Sequence, residues 1–441
     1  MTLKKVALPI ALQSLIGSSL SLVDNLMVGS LGETELAAVG VGIQPFFIFW
    51  MVVFGFTSGC ATFMAQFWGT KDVSNIKKML GFAMTICAGV GLCFFVICMF
   101  FPGYIVNIFT NIDDLKQLST DYIRIGAPCY LFLCFTVPIT FCLRTTQQTK
   151  IPLYTSSFAF CMNTFFNYVL IFGKFGAPAL GVSGAAMATI IARFLELALV
   201  LFIVFYKKNI ISGKISEYFG WTKEFAVRVV KNAIPTTLNE TLWGAGYSLY
   251  TAAYARVGVT QYAAIQLGRV IENLFIMAAF SIGDAALILI GQRLGAGELD
   301  YGYALGKKML KIAAVVGVVA GILLIVVAKP VISLFNFTPE GTMYTFYILI
   351  VYGSVMGIIV VNATNIVGVL RAGGDTRFAM AADCLCIWLI GLPTVFFVTQ
   401  KLSIPIYFVV LLVQLEEVIK LFILLARFKS KKWVRNVISD I

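Results

Sequence analysis

Apolar stretches long enough to cross a bilayer recur about twelve times along this 441-residue chain. A membrane helix needs about 20 predominantly apolar residues at a rise of ~1.5 Å each. The runs lie near 6–29, 36–67, 79–102, 120–143, 152–173 and 181–206, then near 232–256, 262–291, 305–328, 341–370, 377–399 and 404–427. The second, eighth and tenth exceed one crossing, which implies tilt or bending. Hydrophobic residues are 60% of the chain and charged residues 12%, where soluble domains carry about a quarter charged. A soluble core cannot absorb that apolar surface, so the expectation is an all-α polytopic membrane protein of about 12 transmembrane helices. The first run is too long for a signal-peptide core and has no small-residue cleavage site after it, so it reads as the first membrane helix.

The formal net charge is +12, but its placement argues against a nucleic-acid partner. Cations fall in alternate connections: Lys4 and Lys5, then Lys71, Lys77 and Lys78, then Arg144 and Lys150. They return at Lys207–Lys231, at Arg293 and Lys307–Lys311, at Arg371 and Arg377, and in the tail from Arg427 to Arg435. The other connections carry Glu33, Glu35, Asp113 and Asp114 and few cations. The positive-inside rule then puts both termini in the cytoplasm and makes the span count even.

The sequence also repeats. Ala7-Leu8-Pro9 matches Ala233-Ile234-Pro235 at an offset of 226. At the same offset LGETELAAVGVG from Leu31 matches VGVTQYAAIQLG from Val257, and QFWGTKD from Gln66 matches QRLGAGE from Gln292. At 227, Leu143-Arg144 with Thr149-Lys150 matches Leu370-Arg371 with Thr376-Arg377. The expected organisation is two pseudo-symmetric six-helix lobes in parallel orientation, 1–206 and 232–441, the second ending in a basic cytoplasmic tail. Between them 207–231 is a cytoplasmic linker, either a plain connection or an amphipathic segment on the membrane surface carrying Tyr218, Phe219, Trp221 and Phe225.

Several chemistries are excluded. Histidine is absent, which removes histidine metal sites, histidine proton relays and Ser-His-Asp catalysis. No GxxxxGK[ST] motif is present, and the ten cysteines fall almost entirely inside apolar runs, as small fillers would. The chain reads as a non-enzyme without a bound cofactor. Proton chemistry must then use carboxylates. Asp24, deep in the first run, is the clearest candidate, because an intramembrane charge is expensive unless compensated.

Pro9 and Asp24-Asn25 before Val28-Gly29, then LAAVGVG, AQFWGTKD and LRAGGDTR, resemble in order and spacing the multidrug and toxic compound extrusion (MATE) family, of the NorM and DinF-like bacterial kind. The resemblance covers both halves. It implies two six-helix lobes that exchange Na⁺ or H⁺ for organic, often cationic, compounds by alternating access. It also implies that Asp24 works with Asn163 and Asn167 of the fifth span and Thr189 of the sixth, although the DinF-like branch carries an aspartate where Asn167 stands. The asparagines could equally serve as bonds between helices. By position in NorM-like members, Glu240 is a second cation-site candidate. No metal beyond a Na⁺ at Asp24 is expected.

A chamber for bulky cations favours aromatic faces and adaptable methionines, for which Phe47, Trp50, Met51, Met27, Tyr250, Tyr254 and Met277 are candidates. The pairs Arg193/Glu196, Arg269/Glu272 and Glu416-Glu417/Lys420 share helix faces and read as self-neutralising, with Glu272 the exception if Arg269 takes a carbonyl. Asp383, six residues after Arg377, reads as an interfacial ion pair. The expected protein is a monomer in the plasma membrane, with small organic molecules and the lipid bilayer as its partners. Two rivals remain: a lipid-linked oligosaccharide flippase, disfavoured because the first five spans offer only Arg124, and a channel or sensor, disfavoured by the repeat.

Overall fold

The computed structural model describes residues 3–110, 112–333, 338–401 and 404–439, and every regular element among them is a helix. The chain divides into two compact units, Leu12–Ala233 and Met1–Ala11 with Ile234–Ile441. Both divisions fall inside a helix next to an interior proline. Helix α1 (Leu3–Gly29) carries Pro9, and α11 (Lys223–Tyr254) carries Pro235.

In the first unit α1 is followed by α2 (Glu33–Gly42) and α3 (Gln44–Gly69), the predicted second span bent at Ile43 where Pro45 opens the new helix. Then come α4 (Val73–Phe100), α5 (Pro102–Phe109), α6 (Asp113–Gly126), α7 (Pro128–Thr145), α8 (Lys150–Phe172) and α9 (Gly181–Tyr206). Helix α8 lies along α9, and Gly184 permits the approach: a Cβ there would sit 2.5 Å from the Leu170 carbonyl oxygen. The short α10 (Ile215–Tyr218) packs on α4, where a Cβ at Gly81 would meet the Tyr218 oxygen at 1.9 Å. Lys77 and Glu217 pair across this contact at 2.6 Å, and Tyr218 is buried. Residues 207–231 are thus largely ordered, and α11 begins within them at Lys223.

The second unit repeats the order with α11, α12 (Val259–Gly295), α13 (Leu299–Ile332), α14 (Pro339–Ala363), α15 (Thr376–Cys386), α16 (Leu392–Lys401), α17 (Ile406–Val413) and α18 (Leu415–Lys429). Two π-helical stretches, Thr364–Leu370 and Ile387–Gly391, interrupt its tenth and eleventh spans. The basic tail is docked: Trp433 is fully buried against Phe428, and a Cβ at Gly373 would meet its carbonyl oxygen at 1.7 Å. The GGDT loop therefore owes one glycine to the tail's close approach.

The backbone repeats with the sequence. Lys71 and Gly297 are both left-handed, at φ 62° and 79°, and so are Gln147 and Gly374, at 64° and 72°. Their offsets are the 226 and 227 of the sequence repeat. The second copy uses glycine, which adopts this region freely; the first holds side chains there.

Nine helical stretches among the described residues are long and apolar enough to cross a membrane. The three other predicted spans, α8, α11 and α17–α18, are helical as well. Amides and hydroxyls such as Asn163, Asn167, Thr236 and Asn239 dilute the first two, and the third breaks at Gln414 into two shorter helices. The protein is an all-α polytopic membrane protein.

Candidate ion-coupling site

In the first unit the structure gathers all four residues of the Asp24 group. Asn163 and Asn167 lie one turn apart on α8 and are 1% and 0% exposed. The Asn167 amide nitrogen donates to Asp24 Oδ1 and, at 3.0 Å, to Asn163 Oδ1. The Asn163 nitrogen donates to Thr189 Oγ1 of α9 at 3.3 Å, and that hydroxyl donates to the Ala185 carbonyl. An apolar cluster of Val28, Val39, Ile171, Val182 and Ala185 packs α1, α2, α8 and α9 of the same unit. Asn167 Oδ1 is buried with no hydrogen-bond partner. A half-buried carboxylate beside an unmatched carbonyl oxygen is a donor-poor, oxygen-rich site, suited to a proton or a hard monovalent cation.

A second polar chain runs between α7, α1, α8 and α9 of the same unit. Arg144 donates to Gln13 Oε1 at 2.7 Å, the Gln13 amide donates to Ser156 at 2.9 Å, and Ser156 donates to Glu196 at 3.0 Å. Glu196 also pairs with Arg193 at 2.7 Å, as its helical spacing predicts. Gln13 and Ser156 are not among the sequence candidates, and Arg144, a connection cation by sequence, lies in the last turn of α7 and turns back to α1.

The second unit is arranged differently. Glu240 is ion-paired with Arg371, which is 1% exposed rather than a loop cation. Asp383 pairs not with Arg377 but with Lys420 of α18, at 2.9 Å, because Lys420 and Asp383 share the interior while Arg377 is exposed. Lys420 also holds Glu417, at 2.7 Å. Glu416 is not part of that pairing; it accepts from the Tyr250 hydroxyl at 2.6 Å. Arg269 forms no ion pair with Glu272 among the described residues. It donates to Thr251 at 2.7 Å and lies over the rings of Tyr247 and Tyr254.

Of the aromatic and methionine candidates, Phe47 and Met277 are exposed and Met27, Trp50 and Met51 half-buried, with Trp50 stacked between Phe46 and Phe54. Tyr250 and Tyr254 are 3% and 2% exposed, so neither offers a ring face to a bulky ligand in this conformation.

Long apolar helices in two repeated units, with a carboxylate–amide–hydroxyl group among them, define a polytopic membrane transporter. The MatE family profile matches residues 9–169 and 235–397, one segment in each repeat. The chain belongs to the MatE family. It is 21% identical over 439 residues, 98% of this chain and 93% of the relative, to the probable multidrug resistance protein NorM of Thermotoga maritima. It is 26% identical over 403 residues, 90% of this chain and 86% of the relative, to the probable multidrug resistance protein YoeA of Bacillus subtilis. A crystal structure of MATE in the straight conformation superposes with a TM-score of 0.89 at 14% identity, covering 98% of this chain and 96% of that one. The outward-facing structure of a multidrug resistance MATE family transporter of the MOP superfamily gives 0.88 at 13%, with the same coverage. At such identities the structural likeness is one of fold.

Proposed function

We propose that this protein is a cation-coupled antiporter that exports organic, predominantly cationic, compounds by alternating access, with Asp24 as the coupling carboxylate. The observation that carries the reading is the Asp24–Asn167–Asn163–Thr189 group with its unmatched Asn167 oxygen. Uptake of Na⁺ or H⁺ there changes the charge of the site, and a coupling ion works only if the two transport states bind it with different affinity. The names of the NorM and YoeA relatives support drug-like substrates. The alternation of cations between connections supports a multi-pass protein with both termini in the cytoplasm; the reading places it in the plasma membrane as a monomer. Glu240, already matched by Arg371, fits a structural role better than an ion site.

Efflux of a cationic dye by cells, and uptake by everted vesicles driven separately by Na⁺ and by a pH gradient, tests this. Asp24→Asn should reduce driven transport to background while the protein keeps its membrane yield and its elution profile. Wild-type efflux from the Asp24→Asn protein would overturn the proposal. The driving gradient that supports transport names the ion.

A further inference from the structure

The repeat register places Tyr250 opposite Asp24, Asn239 opposite Gln13, Arg371 opposite Arg144 and Asp383 opposite Ser156. Lys420 stands opposite Arg193 and Glu416 opposite Thr189. The first unit carries a carboxylate on its first helix and a hydroxyl on its last, joined through Asn167 and Asn163. The second faces a hydroxyl on its first helix with a carboxylate on its last, and the two meet at 2.6 Å. The same stations are polar in both units, and the acid has changed sides.

We propose that the unit containing Ile234–Ile441 has a proton-binding site of its own, in which Glu416 of α18 takes and releases one proton beside Tyr250 of α11. The packing is built for that pair. Gly391, at the end of a π-helical stretch, leaves the space they occupy: a Cβ there would sit 1.8 Å from the Tyr250 hydroxyl and 2.0 Å from Glu416 Oε2. Such π-bulges are frequent at functional sites. Glu416 is 6% exposed.

The surrounding charges do not balance. Facing the Glu416 region are Glu417 and Lys420 on its own helix, Asp383 and Cys386 from α15, and Tyr250, Tyr254 and Tyr247 from α11. Glu272 and Arg269 of α12, with Tyr352 of α14, lie further around the cluster. The one ammonium, Lys420, already bridges Asp383 and Glu417. Glu416 has a neutral hydroxyl as its hydrogen-bond partner and, among the described residues, no ion pair of its own: the Lys420 charge one turn along is already shared by Asp383 and Glu417. A buried carboxylate without a countercharge is strongly unfavourable, whereas the neutral acid is not.

An independent observation points to the missing donor. The Asn239 amide donates to Asp383 at 3.1 Å and the Asn362 amide donates to Glu417 at 2.8 Å. Each leaves its carbonyl oxygen buried and unpartnered within the cluster, on residues 4% and 2% exposed. Lys420 occupies the place between carboxylates that a metal cation would need, and its charge repels one. A proton is the neutraliser that fits. Glu416 gains it from a hydronium ion, which leaves as water, one carboxyl oxygen then carrying the hydrogen while the other accepts from Tyr250.

This inference deepens the cation-coupled reading, but its test does not depend on transport. Purified full-length protein in lipid nanodiscs is titrated with pH and followed by infrared difference spectroscopy of the carboxylic-acid carbonyl stretch. Asp24→Asn removes the coupling acid proposed for the first unit and should retain a titrating carboxylic-acid band. Adding Glu416→Gln should remove one titrating component of that band, read as the difference between the two variants. Tyr250→Phe in the Asp24→Asn background should keep the band but move it to higher wavenumber, since the carbonyl loses a donor. Superimposable spectra with and without Glu416 would overturn the proposal, as would disappearance of the band on adding Na⁺ at fixed pH. If Glu416→Gln does not fold, Tyr250→Phe carries the test, and an unmoved band refutes it. Failure of Asp24→Asn to affect dye efflux would sink the coupling role of Asp24 and leave this site standing.

Discussion

Lys420→Met isolates the electrostatics of the second unit. Lys420 is 2% exposed, and its ammonium lies 2.9 Å from Asp383 and 2.7 Å from Glu417. Methionine keeps most of the stem's volume and removes the charge, so two buried carboxylates lose their shared cation. Removing one member of a buried ion pair costs about 3–5 kcal/mol, chiefly because the other charge is stranded. Its repeat-mate provides the internal scale. The Arg193 side chain is 24% exposed and neutralises one carboxylate, Glu196, which keeps the Ser156 hydroxyl. Arg193→Met should therefore cost less, about 2 kcal/mol. Thermal unfolding of detergent-solubilised protein, read by fluorescence-detected size exclusion at one alkaline pH, ranks the two. The triple variant Lys420→Met, Asp383→Asn, Glu417→Gln strands no charge and should regain most of the loss. The reasoning fails if Lys420→Met melts at or above Arg193→Met, or if neutralising both carboxylates restores nothing.

Two other outcomes are open to measurement. Glu240→Gln takes the carboxylate from Arg371 and should lower stability by about 3 kcal/mol to the same extent with and without Na⁺; a Na⁺-dependent gap between wild type and variant would instead make Glu240 an ion ligand. Gly81→Val forces a Cβ into the Tyr218 carbonyl and should lift α10 off α4, at a cost of about 1–3 kcal/mol. Limited trypsin digestion should then cut faster at Lys214 and Lys223, and an unchanged digestion rate would show that the contact tolerates the side chain.

The helices and their repetition were legible because both rest on local pattern: apolar length for the spans, and a fixed offset for the copies. The Asp24 group was legible for a related reason, since spacing along α8 puts Asn163 and Asn167 on one face and an intramembrane carboxylate needs neighbours. What escaped were contacts between helices. Lys420 looked self-sufficient because Glu416 and Glu417 lie within one turn of it, yet its closest partners include Asp383 from another helix, and Glu416 turns to Tyr250. Arg144 and Arg371 looked like loop cations because each sits where an apolar run ends; both fold back toward the first helix of their repeat, Arg144 to Gln13 and Arg371 to Glu240. The signal for these was the offset itself, applied to polar residues as well as to motifs. It aligns Gln13 with Asn239 and Ser156 with Asp383, and so marks stations where both copies carry hydrogen-bonding side chains.

The two interior prolines have a mechanical consequence. Pro9 lies two residues before Ala11 and Pro235 two residues after Ala233, so each place where the chain passes between compact units lies beside a helix rung that has no amide hydrogen. Because the proline supplies no amide hydrogen to the carbonyl four residues earlier, bending at those rungs breaks fewer helical hydrogen bonds than bending elsewhere. Each of these two helices thus carries a flexure in the first half of an otherwise regular run. The carboxylate sites stand well away along the same helices, with Asp24 on one and Tyr250, the partner of Glu416, on the other, about fifteen residues beyond the flexure in each case, or roughly 22 Å at 1.5 Å per residue. Over that length a bend of a few degrees at the proline becomes a displacement of an ångström or more at the acid, enough to make or break a hydrogen bond.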